Sequence, residues 1–100
     1  MDKMYKKYGD QATEYLFKLG FNLDGPPSES RSEINFEYEY EDQVDGNDFL
    51  IIITFYKNTS QVEIDLVINA NLRDAAYCNT FFLSDWDEGF GRFKKFLEEE

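Results

Sequence analysis

Residues 33–41, Glu-Ile-Asn-Phe-Glu-Tyr-Glu-Tyr-Glu, alternate strictly between acidic or polar and large apolar side chains. Side chains alternate sides along a strand, so this period predicts a half-buried strand over about 32–43. Ile34, Phe36, Tyr38 and Tyr40 fall on one face, and Glu33, Glu37, Glu39 and Glu41 on the other. Two more apolar runs predict strands over about 49–57 and 61–70. Asp45-Gly46 and Asn58-Thr59 between them read as two-residue hairpin turns. With those turns, paired residue numbers sum to 91 in the first hairpin and 117 in the second. Phe36, Tyr38 and Tyr40 then stand beside Phe55, Ile53 and Ile51, and these beside Val62, Ile64 and Leu66. All nine share one face, and a slip of one residue in either hairpin would turn a whole strand over.

At both ends of the chain the period lengthens. Met1, Met4, Tyr5, Tyr8, Ala12, Tyr15, Leu16 and Leu19 recur at steps of three and four, which predicts an amphipathic helix. Gly9 weakens its middle by up to about 1 kcal/mol. Gly20 ends it, with Phe21 placed to fold back on Leu16. Trp86, Phe90, Phe93 and Leu97 form a second helical stripe, which Ser84 opens as N-cap with Asp87 three residues on. Asp85, Asp87 and Glu88 sit at the positive end of its dipole, and Lys94 and Lys95 near the other. Gly89 and Gly91 suit a close approach to the sheet. Residues 22–31, which include Pro26-Pro27, read as an irregular loop. Residues 71–79 read as a loop or a short helical turn, and 80–83 as a candidate fourth strand.

The expected architecture is one α+β domain over residues 1–100, in two layers and in the order α-β-β-β-(β)-α. An antiparallel three-stranded meander, with the candidate fourth strand beside it, carries the N- and C-terminal helices on its Phe36/Ile53/Ile64 face.

Charge gives the other face its character. The net charge is −11, and between Asp24 and Asp48 nine carboxylates face a single cation, Arg31. In the register above, the free face has the rows Glu41-Leu50-Val67, Glu39-Ile52-Asp65, Glu37-Thr54-Glu63 and Asn35-Tyr56-Gln61. A solvated face kept from edge-to-edge aggregation by charge is one reading. The three aliphatics Leu50, Ile52 and Val67 favour a docking surface, an apolar centre with an acidic rim. Its candidate partner-binding residues are Glu37, Glu39, Glu41, Leu50, Ile52, Thr54, Glu63, Asp65 and Val67. A field of this sign repels nucleic acid and anionic membrane, so the expected partner is a protein with a basic surface. Self-association through this face would bring like charges together, so a monomer or weak dimer is expected. No stretch approaches the roughly 20 apolar residues of a membrane span.

The chemistry-bearing residues are few. Without histidine there is no His-based triad or acid–base group. The single cysteine, Cys78, forms no internal disulfide and reads as a buried thiol in a reducing compartment. The N-terminus lacks the apolar run of a secretory signal, so the cytoplasm is expected. Asp85-x-Asp87-x-Gly89 lacks the remaining ligands of a calcium loop. Glu37 and Glu63, straddling Thr54, are too far apart to act together on a glycosidic bond. No catalytic residue, cofactor or metal is expected. The leading function is a small acidic non-catalytic inhibitor that masks a basic, nucleic-acid-binding type of surface. A toxin's immunity protein and a phage-type antagonist acting as a nucleic-acid mimic are its two variants. A secretion-type chaperone or adaptor holding a partner segment is the alternative, and a small-molecule-binding domain the third class.

Overall fold

The computed structural model describes residues 2–41, 46–69 and 75–99, with Glu41 by its backbone alone. Met1, Asp45 of the predicted turn and residues 71–74 of the ambiguous segment lie outside the described residues. Helix α1 (Lys3–Lys18) comes first, followed by the short strands β1 (Asn22–Leu23) and β2 (Ser28–Glu29). The long strands β3 (Glu33–Glu41), β4 (Asp48–Tyr56) and β5 (Gln61–Ile68) follow, then β6 (Tyr77–Phe82). A 3₁₀ turn at Leu83–Asp85 leads into α2 (Trp86–Glu98). The sheet is antiparallel in the order β1-β3-β4-β5-β6, with β2 also on the outer edge of β3.

Helix α1 forms where the apolar spacing places it. Asp2 caps it by accepting from the Met4 amide at 2.9 Å. The end is a Schellman motif: Gly20 takes φ +99°, its amide donates to Phe17 O, and the Phe21 amide donates to Leu16 O at 2.9 Å. Phe21 is buried there, as its position in the motif requires. Helix α2 starts differently from the expectation. Trp86 is its first residue, Asp85 occupies the cap position without a side-chain bond, and Ser84 lies within the preceding 3₁₀ turn.

The second hairpin has the expected register, with Leu50 opposite Val67 and Ile53 opposite Ile64. The first is displaced by two residues: Phe36 faces Ile53, Tyr38 faces Ile51 and Tyr40 faces Phe49, so pairs sum to 89. A shift of two leaves every side chain on its own face, so the inner and outer sets survive. The reason for the shift lies in the apolar pairs. A sum of 91 would set Ile34 against Lys57. The observed pairing sets it against Phe55 and joins the rings of Tyr40 and Phe49 at 6.0 Å, an apolar match at both ends of the strand.

Both helices cover the inner face. Ala12 and Leu16 of α1 and Trp86, Phe90 and Phe93 of α2 close on Ile34, Phe36, Ile51, Ile53, Phe55, Val62 and Ile64. Tyr38 is wholly buried, and its hydroxyl bonds Thr13 Oγ1 at 2.9 Å. Burial pushes that phenol up to about 12. Two helix glycines make the close packing possible. A Cβ at Gly9 would lie 2.4 Å from Phe36 Cζ, and one at Gly89 would lie 2.5 Å from Phe81 ring atoms, whereas Gly91 faces open space. Gly89→Ala is therefore expected to cost about 1–3 kcal/mol through overpacking, despite alanine's helix propensity. Gly91→Ala is expected to add up to about 1 kcal/mol. Denaturant unfolding of the two variants checks the opposite signs.

Candidate docking face

The outer face is the side that neither α1 nor α2 covers, and its rows follow from the observed register. They run Glu39-Leu50-Val67, then Glu37-Ile52-Asp65-Cys78, then Asn35-Thr54-Glu63-Thr80, then Glu33-Tyr56-Gln61-Phe82. Relative to the sequence reading, every β3 side chain has moved one row along β4. Glu37 now stands beside Ile52, and Glu39 beside Leu50. The backbone register sets Glu41 opposite Asp48, a pairing of two acids that the sequence reading did not contain; the Glu41 side chain lies outside the described residues.

Exposure separates the expected contact residues. Glu37 and Glu39 are exposed, and Leu50, Ile52, Glu63 and Asp65 are half-buried. Thr54 is only 6% exposed and Val67 only 2%, so these two offer almost no surface to a partner. Thr54 is tied down within the face: its hydroxyl donates to Asn35 Oδ1 at 2.7 Å, and Asn35 donates in turn to Glu33. The accessible part is a Leu50/Ile52 strip with Glu37 and Glu39 on one flank and Glu63 and Asp65 on the other.

Residues 22–31 do not leave this face bare at its edge. The Asp24 amide donates to Glu37 O, and Asp24 is the main influence holding the Glu39 carboxyl above its ordinary 4.5, with Glu37 and Asp48 adding to it. On the other flank Tyr56 OH donates to Glu63 Oε1 at 3.2 Å. Glu63 is raised chiefly by sharing a hydrogen bond with Asp65, then by burial and Asp65's charge. At the hairpin end a shallow depression of about 510 Å³ is lined by Ser32, Glu33, Tyr56, Asn58, Gln61 and Glu63, among others.

Cys78 is exposed, which corrects the expectation of a buried thiol. It belongs to the outer set of β6, opposite Asp65, because Tyr77 and Phe81 turn inward. Glu63, Asp65 and Cys78 bring their ligand-type atoms within 4.8 Å of one another, a grouping the sequence reading did not foresee. Glu63 and Cys78 hold their protons more tightly than free side chains do. A hydrogen bond to Asp65, desolvation and the charges of Asp65 and Glu63 push the Cys78 thiol up to about 11. Cys78 is therefore expected to react with iodoacetamide at pH 8 at least roughly tenfold more slowly than an unperturbed thiol. Asp65→Asn should restore the rate.

These carboxyls also set a pH dependence. A carboxyl raised in the folded protein takes up its proton before the unfolded chain does, so it lowers stability at neutral pH. That loss fades as pH falls through the raised values of Glu39 and Glu63 toward 4.5. Glu29, lowered chiefly by its bond to Lys57, acts in the opposite sense, but its side chain is more than a third exposed and the pair is screened by solvent. The melting temperature is expected to rise between pH 8 and pH 5 at low salt, and Asp65→Asn to flatten the rise.

No protein-family model, curated protein or solved structure matches the chain. Among the described residues, no helix is long and apolar enough to cross a membrane.

Proposed function

We propose that this is a non-catalytic binding protein whose outer sheet face docks on, and masks, a basic surface of a partner protein. The observation that carries this reading is the half-buried Leu50/Ile52 strip held between Glu37 and Glu39 on one side and Glu63 and Asp65 on the other. An apolar centre gives affinity on burial, and the acidic flanks orient and attract a ring of Lys and Arg. The depression beside Tyr56, with Glu33 and Glu63 on its walls, suits one cationic side chain, which a ring face and carboxylates together hold. A surface that ordinarily receives nucleic-acid backbone fits this description, so the role is that of an inhibitor. Toxin immunity and phage-type antagonism by nucleic-acid mimicry are its two forms, both acting in the cytoplasm. The test is calorimetric titration of the purified partner at about 50 and about 200 mM salt, where screening lengths differ roughly twofold. Affinity is expected to fall by an order of magnitude at the higher salt. Binding indifferent to salt would overturn the reading.

A segment-holding chaperone or adaptor is the second reading, favoured by one observation. Leu19, Phe21, Tyr40, Phe49, Leu66 and Leu97 line an apolar recess of about 390 Å³ at the other end of the sheet, on its inner side. Loss of partner binding on Leu19→Asp, with Glu37 and Glu39 reversals silent, would favour it.

A further inference from the structure

The two edges of the sheet are finished differently. Beyond β3, the edge is closed by two strands of two residues each, by Pro26-Pro27 between them and by the Lys57–Glu29 pair at 2.7 Å. Short strands, proline and charge are the devices that keep a sheet edge from pairing with another chain. Strand β6 has none of the three. Its six residues, Tyr-Cys-Asn-Thr-Phe-Phe, carry no charge and no proline, and no described residue pairs with its far side. Phe82 is 55% exposed there, and Cys78 and Thr80 are exposed beside it. The edge is also held firmly from within, since Phe81 packs against Gly89 and Tyr77 against Phe93 and Phe96 of α2.

The hydrogen-bond phase of β6 defines what it offers. The Leu83 amide donates to Ser60 O at 2.7 Å, opposite it in the β5–β6 register. Alternate residues of an antiparallel strand face the same neighbour, so Phe81, Asn79 and Tyr77 also turn their amides to β5. The amides and carbonyls of Cys78, Thr80 and Phe82 point to the free edge.

We propose that β6 pairs antiparallel with β6 of a second copy of this chain, across a twofold axis at Thr80, to form one continuous sheet. That register uses all three outward residues. Thr80 meets Thr80, and Phe82 of each copy covers Cys78 of the other, so both exposed rings leave water. Charge selects this edge for self-association. Of the acids on β5, Glu63 opposite Thr80 ends up three strand spacings from its twin, and Asp65 opposite Cys78 lies farther still from its own, offset along the strands. Three spacings are about 14 Å, well past a screening length of about 8 Å at physiological salt. Two chains of net charge −11 can therefore meet here, whereas their outer faces repel. A basic strand from another protein would find no carboxylate on β6 to favour it. The dimer would present two acidic faces on the same side of one sheet.

Sedimentation equilibrium of the full chain tests this, with Thr80→Pro and Phe82→Glu as variants. The expected result is a twofold apparent mass whose association strengthens with salt, the opposite sign to docking on a basic partner. Thr80→Pro removes an outward amide and leaves the bonds to β5, and Phe82→Glu adds like charge across the axis. Both variants should be monomers that melt as cooperatively as the parent chain. Hydrogen exchange at Cys78, Thr80 and Phe82 should slow roughly tenfold or more across the dimerisation range, in step with the dimer population. A chain that stays monomeric at about 1 mM and every salt, where even millimolar contacts are populated, overturns the proposal. So does a dimer that Phe82→Glu leaves intact, or one whose formation leaves those three amides unprotected.

Discussion

Replacing Trp86 with alanine is expected to remove about 3–5 kcal/mol of stability, a large part of what a domain of this size holds. The indole is 2% exposed and stands where all the layers meet. Its ring lies 4.8 Å from Phe90 on its own helix, 4.9 Å from Tyr8 on α1, and 5.9 Å from Phe55 on β4. Its Nε1–H donates to Gln11 Oε1 at 2.9 Å, a second tie between the helices. Alanine empties this junction, and no neighbouring side chain is long enough to refill it without leaving its own contacts. Trp86→Phe keeps a ring in place and loses the Gln11 bond, so it should cost only about 1–2 kcal/mol. Since Trp86 is the single tryptophan, unfolding must be followed by circular dichroism, not by its fluorescence. A cost under about 1 kcal/mol for Trp86→Ala would show that the helix layer is not seated as described.

The second large effect is on binding. On the proposed docking face, Glu37→Lys with Glu39→Lys would turn two attractive contacts into repulsive ones at the edge of the apolar strip. The expected loss is roughly 2–4 kcal/mol of affinity, about 30- to 1000-fold. The fold should tolerate it, because both side chains are exposed and a lysine at position 39 relieves the crowding with Asp24 that raises the Glu39 carboxyl. Glu14→Lys makes a comparable charge change on α1, where Glu14 pairs only loosely with Lys18 at 3.8 Å. It should leave affinity within about twofold of the parent, apart from the general field. Equal loss from both variants would mean that net charge alone, and no particular face, governs association.

The inner and outer sets of β3, β4 and β5 were legible because a period of two survives any even error in register. That is why Phe36, Ile53 and Ile64 are core residues although the first hairpin was mispaired. The Asp45-Gly46 turn signal favours the other register, but apolar partners for Ile34 and Phe49, which would otherwise face Lys57 and Asp42, decide it. The short strands β1 and β2 carry two residues each and therefore no period to read. Strand β6 was only half-seen because Asn79 interrupts its inward apolar set. Had Tyr77 and Phe81 been taken as a pair on one face, Cys78 would have been placed outside. The burial of Val67 and Thr54 on an otherwise open face was beyond alternation, which gives direction and not depth. The Glu63, Asp65 and Cys78 grouping needed the β5–β6 register, which no turn signal supplies. Gly9 reads as a helix defect until its contact with Phe36 is seen, whereas of the two glycines expected to allow a close approach only Gly89, against Phe81, does so.

The most direct measurement is the footprint of the purified partner on the isotope-labelled protein, read amide by amide in solution. The largest shifts should fall on Glu37, Glu39, Leu50, Ile52, Glu63 and Asp65, with the exposed side of α1 and α2 unmoved. A footprint centred on the helices or on the Leu19/Phe49/Leu97 recess, with those six amides unchanged, would contradict it.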